Sequence, residues 1–357
     1  MSNDLIALWD EAGRIDKTLK VRQQDIPLLK RKRVMPASFS RSLMFSQMSQ
    51  GQVCLFDDLQ VPVRNVNGSD PSTMLVKGIE SGFPRSRTAR IQVGRNRQRC
   101  QMRIPEVMRR WHGGRSILSV TDLHFRETKF DEVIDTTRLS DFNVLCNDAE
   151  DGDDFKEMIE MMTLVISSKG NLTDNHADDC DGTNYCFVGR KLWLAWDRIQ
   201  GKTVGFQDVD RDPVDRQAAF DLETFLSLPS SRWFVVSPGL TLFLPGSLEH
   251  KVITLEHYLG VGSFHVALPS YLRCLKRWII YDTHDIVPKD LLIRINNAVI
   301  RRLRKLERSS SSLKEQWGLN QMKDVVEKWS RSNTNGADRL LLRHPLVADF
   351  VAAVRRV

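Results

Sequence analysis

Long apolar runs are missing from this chain. No segment approaches the ~20 consecutive apolar residues that a helix needs to cross a bilayer, which excludes a helical membrane span. The stretch MSNDLIALWDEAGRIDKTLKV has no basic leader ahead of a continuous apolar core, so no secretory signal is expected. Six cysteines (Cys54, Cys100, Cys146, Cys180, Cys186 and Cys274) are scattered without one C-x-x-C pair. That spacing argues against a zinc module and, without a secretory signal, against a disulfide framework. An intracellular, reducing location, nucleus or cytoplasm, is the expectation. No internal repeat is present.

What is there suits a globular protein. Of 357 residues, 41% are hydrophobic and 27% charged, enough apolar material for a substantial core. The net charge is +7, and its distribution says more than its size. KRKR at Lys30–Arg33 is a compact basic cluster of the kind read as a nuclear address. RSRTARIQVGRNRQRCQMR, from Arg85 to Arg103, can attract phosphates or acidic peptides, or be a solvated loop. It has no interleaved aromatics, which counts against base stacking. NDAEDGDD at Asn147–Asp154 reads as an exposed acidic loop.

Three regions are expected. Residues 1–100 are basic and rich in turn residues, partly flexible, with a short helix over NDLIALWDEAGRIDKTLK. From 101 to 287, a helix at IPEVMRRWHGG stops at Gly113-Gly114, a strand follows at SILSVTDLHF, and DDFKEMIEMM has helical spacing. Short runs rich in Val, Ile, Leu, Phe and Trp come next: TLVISS, YCFVG, KLWLAW, RWFVVS, LTLFL, KVITLEHYL and SFHVALP. With turn signals such as SPG and PG between them, they argue for a mainly β core, a sandwich or barrel, in an α+β chain. From 288 to 357 the pattern is helical. Leu292, Ile295, Val299, Leu303 and Leu306 form one apolar stripe that packs on the sheet, on another helix, or on a second copy as a homodimer contact.

TDNHADDCDG, Thr173–Gly182, sets a histidine among acids just before a strand-like run. If it is extended, His176 and Asp178 project to one side while Asn175 and Asp179 do not. An imidazole and a carboxylate at i and i+2 can meet one metal, with a third ligand from another strand. His250, after the Pro245-Gly246 turn, is the candidate. Two histidines and one carboxylate leave positions open, which suits non-haem Fe(II); a closed zinc site wants a fourth ligand, more often sulfur. H-x-D alone is common, and a lone histidine beside acids is usually solvated or structural.

The surrounding residues add a family likeness. LTDNHADDCDGTNYCFVGRKLWLAWD, then WFVVSPGLTLFLPGSLEHKVITLEHYLGVGSFHVALPSYL, resembles the Jumonji C (JmjC) domain, the cupin-like branch of the Fe(II)- and 2-oxoglutarate-dependent oxygenases, over roughly 115–285. The resemblance implies a double-stranded β-helix, a jelly-roll barrel, with His176, Asp178 and His250 holding iron. It implies that Lys191 pairs with the distal carboxylate of 2-oxoglutarate, with Arg190 pointing the other way. It matches Thr173 to a hydroxyl on the same carboxylate; strict alternation puts Thr173 opposite His176, so this needs a bulge. Asn184 matches a polar residue near the co-substrate. His265 stands where other members carry asparagine or a similar group, and either hydrogen-bonds the co-substrate or lines the barrel.

The reaction so implied consumes 2-oxoglutarate and O₂, releases succinate and CO₂, and hydroxylates a protein side chain or demethylates N-methyl-lysine. A histone or other nuclear protein is a plausible substrate given the KRKR cluster, although no zinc-bound reader module is present. The alternative is a catalytically inactive JmjC-like scaffold bound to chromatin; such proteins usually lose a ligand or the lysine, and here all are present. A third possibility is nucleic-acid proximity through the Arg85–Arg103 stretch.

Overall fold

The computed structural model describes residues 2–64, 70–94, 98–114, 116–126, 128–145, 162–206, 220–246, 248–280, 289–332 and 336–357. The helix expected at DDFKEMIEMM, Met162 apart, and the acidic stretch 147–154 lie outside them. The chain opens with α1 (Ser2–Ile15), α2 (Ile26–Lys32), α3 (Arg41–Ser49), β1 (Cys54–Phe56) and α4 (Pro71–Gly82). Next come β2 (Thr88–Val93), β3 (Gln98–Arg103), α5 (Ile104–Gly113), β4 (Leu118–His124) and α6 (Thr137–Ser140). The central run is β5 (Thr163–Ser167), β6 (Leu172–Ala177), β7 (Asp181–Val188), β8 (Lys191–Asp197), α7 (Arg198–Thr203) and α8 (Leu222–Ser227). It continues through β9 (Arg232–Val236), β10 (Thr241–Leu244), β11 (Leu248–Thr254) and β12 (Tyr258–His265). Six helices end the chain: α9 (Tyr271–Ile280), α10 (Lys289–Glu307), α11 (Ser311–Gln316), α12 (Leu319–Ser332), α13 (Gly336–Arg343) and α14 (Pro345–Arg356).

The strands form two antiparallel sheets. One has eight strands in the order β1-β10-β7-β12-β5-β4-β2-β3, the other four in the order β6-β11-β8-β9. Side chains of both sheets meet in one buried cluster: Cys186, Leu242 and Leu244 from the larger, Trp193, Phe234 and Val252 from the smaller. The protein is thus α+β, with a large antiparallel core and a helical C-terminal region.

KLWLAW lacks polar alternation because both its faces are buried. Trp193 and Ala195 enter the cluster between the sheets. Leu192, Leu194 and Trp196 face outward, where Leu5 and Trp9 of α1 and Leu29 of α2 cover them. The first 32 residues are therefore a layer on the small sheet. β3 runs across position 100/101, and β1 is the far edge of the large sheet, so the change of texture near residue 100 marks no structural boundary.

Other expectations need correcting. KVITLEHYL is two strands, β11 and β12, because Arg190 accepts backbone hydrogen bonds from Leu255 and Glu256 and turns the chain there. Composition cannot show such a turn. In the KRKR cluster Lys30, Arg31 and Arg33 are exposed, whereas Lys32 is buried and donates to the Leu228 carbonyl; the Arg33 guanidinium lies over the Trp233 ring at 5.3 Å. The stripe Leu292, Ile295, Val299, Leu303 and Leu306 is buried against helices of the same chain, including Val347, Phe350 and Val351 of α14. It offers no homodimer contact.

The N-terminal layer is tied to β11 by a buried ion pair, Asp16 Oδ2 to Lys251 Nζ at 2.7 Å. Burial alone would raise the Asp16 pKa, but the Lys251 charge and the hydrogen bonds from Lys251 and Thr18 outweigh it and lower it. A carboxyl with a lowered folded pKa contributes stability that is complete above its unfolded value, about 3.9, and lost as pH falls through the folded one. We expect Asp16→Asn to leave a buried ammonium unpaired and cost about 3 kcal/mol in denaturant unfolding at neutral pH. The deficit should shrink toward pH 3; a constant deficit would contradict the assignment.

Candidate metal centre

β6 and β11 are antiparallel neighbours, and their register sets His176 directly opposite His250. The ring centroids are 4.1 Å apart. Asp178 follows β6 and turns back, so that its Oδ2 lies 3.8 Å from His250 Nε2. Ligand atoms of His176, Asp178 and His250 all fall within 4.8 Å of one another, and among the described residues they are the one group able to hold a metal ion.

The hydrogen bonds prepare both imidazoles. His176 Nδ1 is 2.8 Å from the Asp174 carbonyl oxygen, and His250 Nδ1 is 3.1 Å from that of Leu248. A carbonyl only accepts, so each Nδ1 carries the proton and each Nε2 presents a lone pair, the usual arrangement behind a ligating histidine. His250 is 1% exposed and stacks on Trp193 at 5.3 Å. Its neighbours are anchored on the opposite face: Glu249 accepts from Trp196 Nε1 at 2.8 Å and faces Arg198 at 3.7 Å, and Lys251 holds Asp16.

Asp178 and Asp179 are separated by their partners. Asp179 accepts from Arg277 Nε of α9 at 2.7 Å, while Arg277 Nη2 reaches the Ala177 carbonyl at 2.9 Å. Asp179 thus faces the helices and leaves Asp178 to the histidines. The fully buried Asp181 ties the two ligand-bearing segments together. Its Oδ1 accepts from the Gly246 amide at 2.8 Å and its Oδ2 from Ser270. Gly246 is needed there, since a Cβ would sit 2.9 Å from the Cys180 carbonyl carbon.

A bulge shapes the β6 face. His176 pairs with His250 but Thr173 with Val252, so three steps on β6 match two on β11. The irregularity puts Thr173 on the same cavity as His176. Asn175, within the bulge, borders the cavity too, buried and, among the described residues, with neither side-chain amide atom hydrogen-bonded. Simple alternation turns it away, and sequence reasoning missed it.

The ligand set opens into a cavity of about 350 Å³ between the sheets. Lys191 lines it, 4% exposed, with Nζ 4.4 Å from the Tyr258 ring centroid and no acidic partner among the described residues. Burial pushes its pKa down to about 7. Arg190 points outward, to Glu256 at 2.8 Å and Glu11 at 3.4 Å. Asn184 lines the cavity and accepts from the Tyr258 hydroxyl.

His265 is not part of this constellation. Gly262, Ser263 and Phe264 border the cavity, but His265, at the end of β12, does not; it lies edge-on to Phe142 at 4.7 Å and beside Phe243. Among the described residues neither ring nitrogen has a hydrogen-bond partner, and burial pushes its pKa down to about 3. It is a neutral core residue. The cavity mouth instead gains Arg90, Gln92 and Arg99 from β2 and β3. R-x-Q at Arg90–Gln92 carries the period-two signal that could have flagged them.

No family model matches the chain, and no curated protein matches it.

The geometry assigns Asp178, not Asp179, to the metal. Metal titration should show one equivalent of Fe(II) or Co(II) bound by the wild type and by Asp179→Ala, and none tightly by His176→Ala, Asp178→Ala or His250→Ala. Binding lost in Asp179→Ala but kept in Asp178→Ala would reverse the assignment.

Proposed function

We propose that the protein is an Fe(II)- and 2-oxoglutarate-dependent oxygenase of the Jumonji C type, hydroxylating a protein side chain or demethylating N-methyl-lysine. The observation that carries this reading is a buried ammonium without an acid, Lys191, on the same cavity as a two-histidine, one-carboxylate ligand set. A buried cation is costly unless an anion reaches it. Lys191 and His250 sit on adjacent strands, with Ala195 opposite His250, so their Cα atoms are offset by four residues, ~13 Å along the strand at ~3.3 Å each. A metal-bound dicarboxylate, met by the long lysine stem, fits that interval.

Strand order supports the same reading. β10-β7-β12-β5 in one sheet and β6-β11-β8-β9 in the other place successive strands from β5 to β12 alternately in the two sheets, except at the β8-β9 pair, which stays within the smaller one. That interleaving is the order of a double-stranded β-helix. The donor set fits iron better than structural zinc, since three nitrogen and oxygen ligands leave positions open and no cysteine joins them.

Iron and 2-oxoglutarate would supply the oxidation of a substrate C–H bond by O₂, with succinate and CO₂ as co-products. The chain's own residues do the rest. His176 and His250 offer lone pairs of fixed direction, and Asp178 supplies negative charge. Lys191 neutralises the far carboxylate of the co-substrate, with Thr173 as a second hydrogen-bond donor to it. Tyr258 holds Asn184 at the wall, and Trp193 with the apolar cluster keeps water from the deep end.

The test is succinate release from 2-oxoglutarate. We expect Lys191→Ala to retain iron yet need at least ~10-fold more co-substrate, the usual order for one charge-assisted contact. Because the cationic lysine is the binding form and its pKa lies at about 7, wild-type affinity should fall by about tenfold per pH unit above that value. Lys191→Ala should lack this dependence. Unchanged co-substrate demand in Lys191→Ala would remove the lysine from the site, and absence of 2-oxoglutarate binding to iron-loaded protein would reject the oxygenase reading.

A further inference from the structure

Within the basic stretch Arg85–Arg103, an exposed turn at Arg85–Arg87 leads into strand structure from Thr88 onward. The stretch holds the hairpin of β2 and β3. Thr88 pairs with Arg103, Arg90 with Gln101 and Gln92 with Arg99, so these six side chains share one face of the ribbon. The other face carries Ala89 and Ile91, buried on the outer core. Arg90 and Arg99 are exposed and border the cavity that contains His176, Asp178 and His250. Among the described residues no carboxylate pairs with Arg90, Arg99 or Arg103, whereas Glu106, just beyond β3, is engaged by Arg109 and Arg110. The mouth of the cavity is therefore flanked by uncompensated guanidinium groups. Among the described residues β3 is also the last strand of its sheet and pairs with β2 alone, so no described strand pairs with its outer edge.

We propose that this face is the docking surface for the substrate, and that the substrate is an acidic polypeptide segment bound in extended form. Charge selects it: carboxylates find Arg90, Arg99 and Arg103, and a Lys- or Arg-rich tail is repelled. Backbone chemistry selects it too. An extended peptide can hydrogen-bond along the free edge of β3, as strands added to sheet edges do. Alternate side chains of such a peptide recur every ~6.8 Å, the spacing of Arg99, Gln101 and Arg103 along β3. A nucleic acid shares the negative charge but has no main chain to continue the sheet. The face also carries no aromatic residue on which a base could stack. The inference rests on the oxygenase reading only in that the docked segment delivers a side chain to the metal; docking itself needs neither metal nor turnover.

Fluorescence anisotropy on metal-free full-length protein tests it. The probe is a labelled dodecapeptide of alternating Glu and Ala. A Lys-Ala peptide of equal length and a single-stranded oligonucleotide of equal charge serve as comparisons. We expect the acidic peptide to bind best, to weaken as salt screens the contact, and to lose roughly tenfold or more in affinity in the R90E/R99E variant. R90Q/R99Q should lose less. Both positions are exposed, and an unchanged melting temperature would show that the fold is kept. Acidic-peptide binding that is absent, that the Lys-Ala peptide equals, or that survives R90E/R99E would overturn the proposal. Tighter oligonucleotide binding lost in R90E/R99E would overturn it in favour of a nucleic-acid interface. Iron titration on the same sample reads the metal site separately, so either idea can fail alone.

Discussion

The register between β6 and β11 is the constraint on which the site depends. One pairing, His176 opposite His250, brings together residues far apart in the chain. A slip of one residue would turn every β11 side chain over, burying Glu249 or Lys251 in the cavity and sending His250 outward. Several contacts guard against that slip. Lys251 is held by Asp16, Glu249 by Trp196 and Arg198, and the turn ahead of the strand by Asp181. The bulge adds the last adjustment, letting Thr173 and His176 share a wall that perfect alternation would deny them. Ligand geometry is thus a property of the outer faces of the strands as much as of the ligands.

The buried charges divide in the same way. Lys251, Arg198 and Arg277 each meet a carboxylate, Asp16, Glu249 and Asp179 in turn, and serve the scaffold. Lys191 is as deeply buried but, among the described residues, meets no carboxylate; its ammonium lies over the Tyr258 ring. A cation–π contact, about 2 kcal/mol when desolvated, is small beside the several kcal/mol that desolvating an ion costs. The lowered pKa expresses that deficit. The contrast separates Lys191, which we propose pairs with an anionic co-substrate, from residues that hold the fold.

Much of this was legible in the sequence where the signal is local. The apolar runs located most strands, and Gly114, at φ 61°, closes α5 where Gly113-Gly114 predicts a stop. His176, Asp178, His250, Lys191, Thr173 and Asn184 all border one cavity. What failed depended on partners distant in sequence. Trp9 and Leu5 complete a core with Leu192 and Trp196, so residues 1–100 read as partly flexible when their core partners lie far along the chain. The stripe on α10 was open to three covers, the sheet, another helix or a second copy, because the helix that covers it, α14, comes much later in the chain. His265 was misplaced by position within a motif; its packing on Phe142 and Phe243, both distant in the chain, keeps it off the cavity lining.

The helical layer over β8 bears on where this protein can be cut. A fragment starting at residue 101 would uncover the outer faces of Leu192, Leu194 and Trp196 and leave Lys251 without its carboxylate. Each large apolar side chain returned to water forfeits roughly 1.5–3 kcal/mol, and a typical domain has only about 5–15 kcal/mol in reserve. A handful of such losses exhausts that margin, so the smallest autonomous piece containing the ligands must also contain α1 and α2.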